Sequence, residues 1–234
     1  MVFLWYNRFM KKIIGNPEEK NNKNIKIINK IKINNYYIKN QEDFRIKIVN
    51  SINIEDNVLD IGKSSRQFYD KIKSKKLITL DNNDFGDYPD IIFDICDEVD
   101  DSLKDKFDKI ICLAILEHVY NPFKAVQNLK SMLKPGGTIF GYAPYLYPYH
   151  APNDLKFQDY FRFSRDALAY LFKDFSYIEL FPVRGRVSSS LNSFFGNKWK
   201  RYAEKTKINI LLDKFSTDKI NSLQCSGYNF VLRK

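Results

Sequence analysis

NVLDIGKSSRQFY, residues 57–69, decides the fold. It opens with a short apolar run of the kind that forms a buried strand, turns at Gly62, and continues toward a helix. An acid near the strand end, Asp60, beside a glycine turn is an arrangement that cradles a nucleoside-bearing ligand. The glycine allows close backbone approach. Taken alone the motif is weak, because it holds one glycine where many nucleotide loops hold three.

Strand and helix signals alternate outward from it. A second strand is expected over Leu77–Leu80, ending at Asp81, a third over Pro89–Phe93, ending at Asp94, and a fourth over Phe107–Leu113. A short helix is expected over Gln67–Lys75. A longer one spans Pro122–Leu133, with Phe123, Val126, Leu129 and Met132 at helical spacing, until Lys134-Pro135-Gly136-Gly137 breaks it. Thr138–Tyr142 is a fifth strand, Ser164 is an N-cap candidate for a helix over Arg165–Phe172, Tyr177–Val183 is a sixth strand and Gly227–Leu232 a seventh. Apolar positions Phe44, Ile48 and Ile52 predict a helix ahead of the first strand. The alternation predicts a mostly parallel, seven-stranded α/β sheet with helices on both faces. Such sheets bind ligands beyond the carboxyl ends of their strands, where the strand order reverses.

The chain, with 234 residues and 44% of them hydrophobic, has enough apolar material for one core, so residues 1–234 are expected to form a single domain. Residues 1–43 form a basic extension without a chemical motif, and 184–224 a helical insert before the last strand. Met1–Met10 (MVFLWYNRFM) is aromatic but interrupted by Asn7 and Arg8, which predicts a short packing helix or a membrane-surface foothold rather than a signal peptide. No apolar run approaches the roughly 20 residues of a membrane span. Cys96, Cys112 and Cys225 are too scattered for a zinc site or a disulfide framework, and they suit a reducing cytoplasm. The net charge of +10 divides into +7 over residues 1–50, −5 over 51–183 and +8 over 184–234. Basic flanks favour anionic partners, although the Lys/Asn/Ile bias of residues 20–40 equally fits a solvated surface.

Asp81 stands 19 residues after Gly62, where an acid can take both hydroxyls of a ribose, and Asp94-Ile95 could take an adenine amino group and ring face. The segment CLAILEHVYNPFKAVQNLKSMLKPGGTIF, residues 112–140, makes a resemblance specific. LEHV, a Pro-started helix, then LKPGG and a strand resemble the class I S-adenosylmethionine (SAM)-dependent methyltransferases, small-molecule type. YAPYLYPYHAPNDLKFQDYFRFSRDAL, residues 142–168, resembles a branch associated with surface-glycan pathways. The likeness covers about residues 50–183. It departs at Ser64 and Arg66, where the family usually carries further glycines.

The resemblance implies a Rossmann-like fold with SAM as cofactor and S-adenosylhomocysteine as product. The expected cofactor residues are Asp60, Gly62, Ser64, Asp81, Asn82, Asp94, Ile95, Leu113, Glu117 and His118. It implies methyl transfer to a small acceptor, neutral or anionic, an O-methylation in glycan or capsule assembly. His150, in the loop after the fifth strand, is either the general base or a hydrogen-bonded loop residue. Arg162 could clamp an anion, or be held by Asp159; Tyr145, Tyr147 and Tyr160 could line a sugar site. No metal-ligand spacing is visible, so a metal-independent reaction is expected. Two alternatives stay open: a non-catalytic SAM-fold module and an RNA-directed methyltransferase. The turn lacks the Gly-x-Gly-x-x-Gly of a nicotinamide dehydrogenase, and Leu113–Leu116 occupies the place of an amino-methylase motif, which disfavours nucleic-acid bases.

Overall fold

The computed structural model describes residues 17–28, 31–33, 41–151 and 157–234. The segment Met1–Met10, expected to be a packing helix, lies outside them. The described residues hold eight strands: β1 (Lys32–Ile33), β2 (Asn57–Ile61), β3 (Lys76–Asp81), β4 (Ile91–Ile92), β5 (Phe107–Leu113), β6 (Leu133–Pro144), β7 (Tyr177–Val183) and β8 (Gly227–Arg233). They form one sheet in the order β1-β7-β8-β6-β5-β2-β3-β4, in which β8 runs antiparallel to both of its neighbours and every other pair is parallel. The seven expected strands are all present. The eighth, β1, is an edge strand contributed by the basic extension, whose two residues are too few to show a period of their own.

Helices cover both faces. On one side α2 (Gln41–Asn50) buries Phe44 and Ile48 against Val58, Ile111, Phe140 and Val231. On the other, α3 (Pro122–Met132) and α4 (Arg165–Leu171) pack on Leu59, Ile110, Ile139 and Leu180. Strand β5 is central, with Ile110, Ile111 and Cys112 all at 0% exposure. A strand covered on both faces needs an apolar run, which Ile110–Leu113 supplies, while Asp108 and Lys109 sit at its less buried start. The extension also contributes α1 (Pro17–Ile28), next to α4. The insert before β8 holds α5 (Arg186–Thr206), α6 (Ile208–Leu212) and α7 (Asp218–Leu223).

Two expectations are corrected. The helix expected over Gln67–Lys75 is instead a 3₁₀ turn over Arg66–Lys71, broken at Phe68 with φ −140°. Phe68 is buried, and the Tyr69 hydroxyl reaches back to Asp60, so tertiary contacts override the helical pattern. Helix α3 ends at Met132, ahead of Pro135-Gly136-Gly137, which lies within β6; that strand begins at Leu133, which pairs with Phe107 ahead of a register shift.

The order reverses at β2 and β5: β3 and β4 continue on one side, β6 on the other. The carboxyl ends of β2 and β5 therefore flank the crevice of the sheet. Buried Asn128 of α3 braces one wall by donating to the carbonyls of Ile95 (2.8 Å) and Asp97 (2.5 Å). Replacing Asn128 with Ala should lower stability by about 2 kcal/mol, because both carbonyls lose their partner. Thermal unfolding should show this as a fall in Tm of about 4–8 °C.

Candidate active site

The turn after β2 is built around a buried acid. Asp60 is 0% exposed and accepts from the Ser64 hydroxyl (2.7 Å), the Ser65 N–H (3.1 and 3.2 Å) and the Tyr69 hydroxyl. Burial pushes its pKa up, and these donors oppose that shift. Ser64 also accepts the N–H of Leu113 at 3.2 Å, which ties the turn to the end of β5. Gly62 has φ +64°, and a Cβ there would stand 2.7 Å from Ile115 Cδ1. One glycine is thus required by the backbone. The serine at a usual glycine position serves as a bridge between the two strand ends.

A cavity of about 620 Å³ opens over this turn, and Gly62, Ser64, Asp81, Asn82, Asp94, Ile95, Leu113 and His118 all line it. Asp81 accepts from the Asn83 N–H (3.1 Å) on Oδ1 and from the Tyr88 hydroxyl (3.0 Å) on Oδ2. One lone pair remains on each oxygen, which suits a pair of vicinal hydroxyls. Asp94 accepts the Cys96 N–H at 2.8 Å, shaping the wall beside buried Ile95. Tyr88, with Lys63 Nζ 3.9 Å from its ring centroid, and Phe93 also line the cavity. These residues lie in irregular loops, where residue type alone carries no positional signal. Asp60 and Glu117 do not line the cavity. Asp60 holds the turn from behind.

Glu117 lies deeper and joins two loops far apart in sequence. It is 0% exposed, and neither carboxylate oxygen has a hydrogen-bond partner. The Nε2 atoms of His118 and His150 converge on its Oε1, at 3.7 and 3.4 Å. The backbone carbonyl of Glu117 accepts from the N–H groups of Tyr160 (2.7 Å) and Phe161 (3.2 Å). His118 Nδ1 donates to the Gln158 carbonyl at 2.6 Å, so in the neutral ring the proton sits on Nδ1. The His118 and His150 rings meet edge to face at 4.9 Å. His118 forms the wall between His150 and the cavity.

The residues of the loop after β6 assemble around His150. The Asp159 carboxylate is fully buried, accepts the His150 N–H at 2.9 Å, and lies 3.2 Å from His150 Nδ1. Arg162 Nε donates to the Tyr147 carbonyl (2.9 Å), its Nη1 to Asp159 and the Phe161 carbonyl (2.8 Å), and its Nη2 to the Pro148 carbonyl (2.8 Å) and Asp159 (2.6 Å). Every guanidinium N–H is occupied. Of the two readings open for Arg162, the geometry therefore matches the one in which Asp159 holds it and it ties the loop. The bond to Arg162 pulls Asp159 down to about 2. Tyr147 packs against His150 at 5.2 Å, Tyr145 packs against the core, and Tyr149 and Tyr160 are open to solvent. Glu117, His118 and His150 could also hold a metal ion, since one ligand atom from each lies within 4.8 Å of the others. Their separation in sequence carries no metal-ligand signature.

The sheet order and a crevice with a ribose-ready acid define a class I SAM-dependent methyltransferase. The chain belongs to a family of methyltransferase domains, matched over residues 29–181, and SAM is its cofactor. A SAM-dependent methyltransferase from Archaeoglobus fulgidus superposes with a TM-score of 0.51 at 15% identity, over 98% of this chain and 100% of that one. Phosphoethanolamine N-methyltransferase 2 of Haemonchus contortus, in complex with SAM, gives 0.50 at 14% identity, over 82% of this chain and 51% of that one. Both likenesses concern the fold. A stretch of 36 residues is 47% identical to the ubiquinone biosynthesis O-methyltransferase of Actinobacillus pleuropneumoniae, and 44% to that of Haemophilus ducreyi. It spans 15% of this chain and 15% of each relative.

Asp81→Ala should weaken SAM binding by roughly 10- to 1,000-fold, since it removes two charge-assisted hydrogen bonds to the ribose. Titration calorimetry checks this. Unchanged affinity would place the ribose elsewhere.

Proposed function

We propose that the enzyme, taken as one domain over residues 1–234, methylates an oxygen of a small acceptor. The acceptor is a sugar or a sugar- or phosphate-linked intermediate of surface-glycan assembly, and Glu117, His118 and His150 act as an acid–base station. One observation carries the mechanism: two imidazole Nε2 atoms face the same oxygen of a buried carboxylate that has no other partner. With the His118 proton on Nδ1, the donor that faces this oxygen is His150, through Nε2–H. The Glu117 carboxylate raises its pKa, Asp159 adds to the effect, and burial opposes them.

When bound, SAM supplies a methyl group on a sulfonium, activated for in-line displacement. The chain's own work is positioning and proton removal. The Asp60 turn and Asp81 fix the cofactor side of the cavity. The acceptor loop, sewn to Glu117 and tied by Arg162, fixes the other. Such positioning can supply up to roughly 7–11 kcal/mol of the barrier. Proton removal from a hydroxyl adds about 10²–10⁴-fold. Solvent-facing Tyr149 and Tyr160 offer rings on which a sugar can stack. Oxygen as acceptor atom fits the short stretch shared with O-methyltransferases. The glycan assignment rests on the motif of residues 142–168.

His150→Ala and His150→Gln should lower turnover by about 10²–10⁴-fold while leaving SAM affinity nearly intact. The neutral imidazole is the active form, so wild-type turnover should rise with pH through a midpoint above the ordinary histidine value of about 6.5. The variants should lack that limb. A screen of sugar and sugar-phosphate acceptors with labelled SAM, read together with pH profiles, tests both parts. His150→Ala with normal turnover and normal acceptor KM would remove His150 from the chemistry.

A second possibility follows from the same trio. Its ligand atoms lie within 4.8 Å of one another, and His118 Nδ1 bonds a backbone carbonyl as metal-bound histidines do. With protons alone at the station, dialysis against a chelator should leave turnover unchanged. Loss of activity restored by a divalent cation would assign the trio to a metal.

A further inference from the structure

We propose that the helical insert between β7 and β8 docks the enzyme on an anionic membrane surface. Helix α5 is broken at Gly196, where φ is 71° and ψ −163°. A continuous ridge of rings crosses the break: Phe194 to Phe195 (4.9 Å between centroids), Phe195 to Trp199 (5.6 Å) and Trp199 to Tyr202 (5.7 Å). Phe194 is 82% exposed, Phe195 56% and Tyr202 55%. Further along, Leu211 and Phe215, four residues apart, are 58% and 81% exposed. Single exposed apolar residues are ordinary on a soluble protein. A run of rings in mutual contact and laid open to water marks an interaction surface.

Charge complementarity identifies the partner. Arg186, Arg201, Lys205, Lys207, Lys214 and Lys219 are exposed on the same insert, and no ion pair among the described residues engages them. Asp213 is turned inward, where it accepts from the N–H groups of Gly185 (2.6 Å) and Ser188 (3.0 Å) and from the Ser188 hydroxyl (2.7 Å). Residues 184–234 carry +8 while the catalytic middle of the chain, 51–183, carries −5. Aromatic rings flanked by unpaired cations are what an interfacial helix presents to anionic headgroups. The placement has a consequence for catalysis. Phe194, Ser190 and Ser193 face Tyr145–Pro148 of the acceptor loop across an open cleft, so docking brings the mouth of that loop to the bilayer surface. Docking rests on the insert alone and holds whichever acceptor the enzyme uses.

The test is flotation of the full chain with vesicles of phosphatidylcholine alone and of equal parts phosphatidylcholine and phosphatidylglycerol. Binding is expected to the anionic vesicles, with a loss at high salt. Phe194→Ser combined with Phe215→Ser should weaken that binding by about tenfold or more. Arg201→Glu combined with Lys205→Glu should weaken it by about tenfold. Both variants should keep wild-type SAM affinity and thermal stability, which separates lost docking from lost folding. In a Trp5→Phe background Trp199 is the sole tryptophan, and its emission should shift to the blue on anionic vesicles. The proposal is overturned if anionic vesicles do not bind, if the variants bind like the wild type, or if bound protein leaves Trp199 emission unmoved. It is also overturned if sedimentation velocity shows a dimer that Phe194→Ser dissolves, since the ridge would then be covered by a second copy of the chain.

Discussion

Asp60 takes a carboxylate out of water at the end of a central strand, a placement that is costly unless donors surround the charge. They do: the Ser64 hydroxyl, the Ser65 N–H and the Tyr69 hydroxyl all point at it. Closing those bonds bends residues 62–69 into a compact turn, prevents a helix where the apolar pattern suggested one, and leaves the Gly62 backbone open to the cavity. Ser64 passes the constraint on by accepting the Leu113 N–H. The two strand ends that flank the crevice are thereby held at a fixed separation. A turn poor in glycine keeps its shape because side-chain hydrogen bonds supply what backbone freedom supplies elsewhere.

Glu117 is a second buried acid with the opposite arrangement. Its carbonyl is fully used in binding the acceptor loop, while its carboxylate has only two imidazoles for company. This acid gathers the two imidazoles at one oxygen, at 3.7 and 3.4 Å. Tyr147, Pro148 and Asp159 beside His150 are tied together for a separate reason. Arg162 spends its planar fork on three carbonyls and the Asp159 carboxylate, a geometry that a lysine could not reproduce. One acid shapes the turn beside the cavity and the other binds the loop after β6. His118 stands at the boundary between the two.

Much of this was legible in residue order. The strands over 57–61, 107–113 and 177–183 have the limits that their mainly apolar runs predict, because a strand buried on both faces must be apolar over most of its length. Asp81 and Asp94 could be placed at the cavity because a parallel sheet puts the residues after its strands at one edge. The 3₁₀ turn over residues 66–71 was not legible, since the Tyr69 contact with Asp60 is tertiary. Strand β1 was not legible either, because a two-residue edge strand is defined by its neighbour β7 alone.

Residue order was enough for the α/β class, the order of the elements and two acids that line the cavity, Asp81 and Asp94, all through periodicity and through spacing within single strand–turn units. Tertiary structure alone decided that Glu117 meets His150, that Arg162 is saturated by its own loop, and that the aromatic ridge of α5 is left open to water. The first joins segments 33 residues apart, the second closes a loop on itself through bonds across up to 15 residues, and the third is a face that the rest of the described residues leave exposed. Local pattern fixes which face of an element is apolar, but only the packed chain fixes what that face, or a charged group beside it, finds opposite.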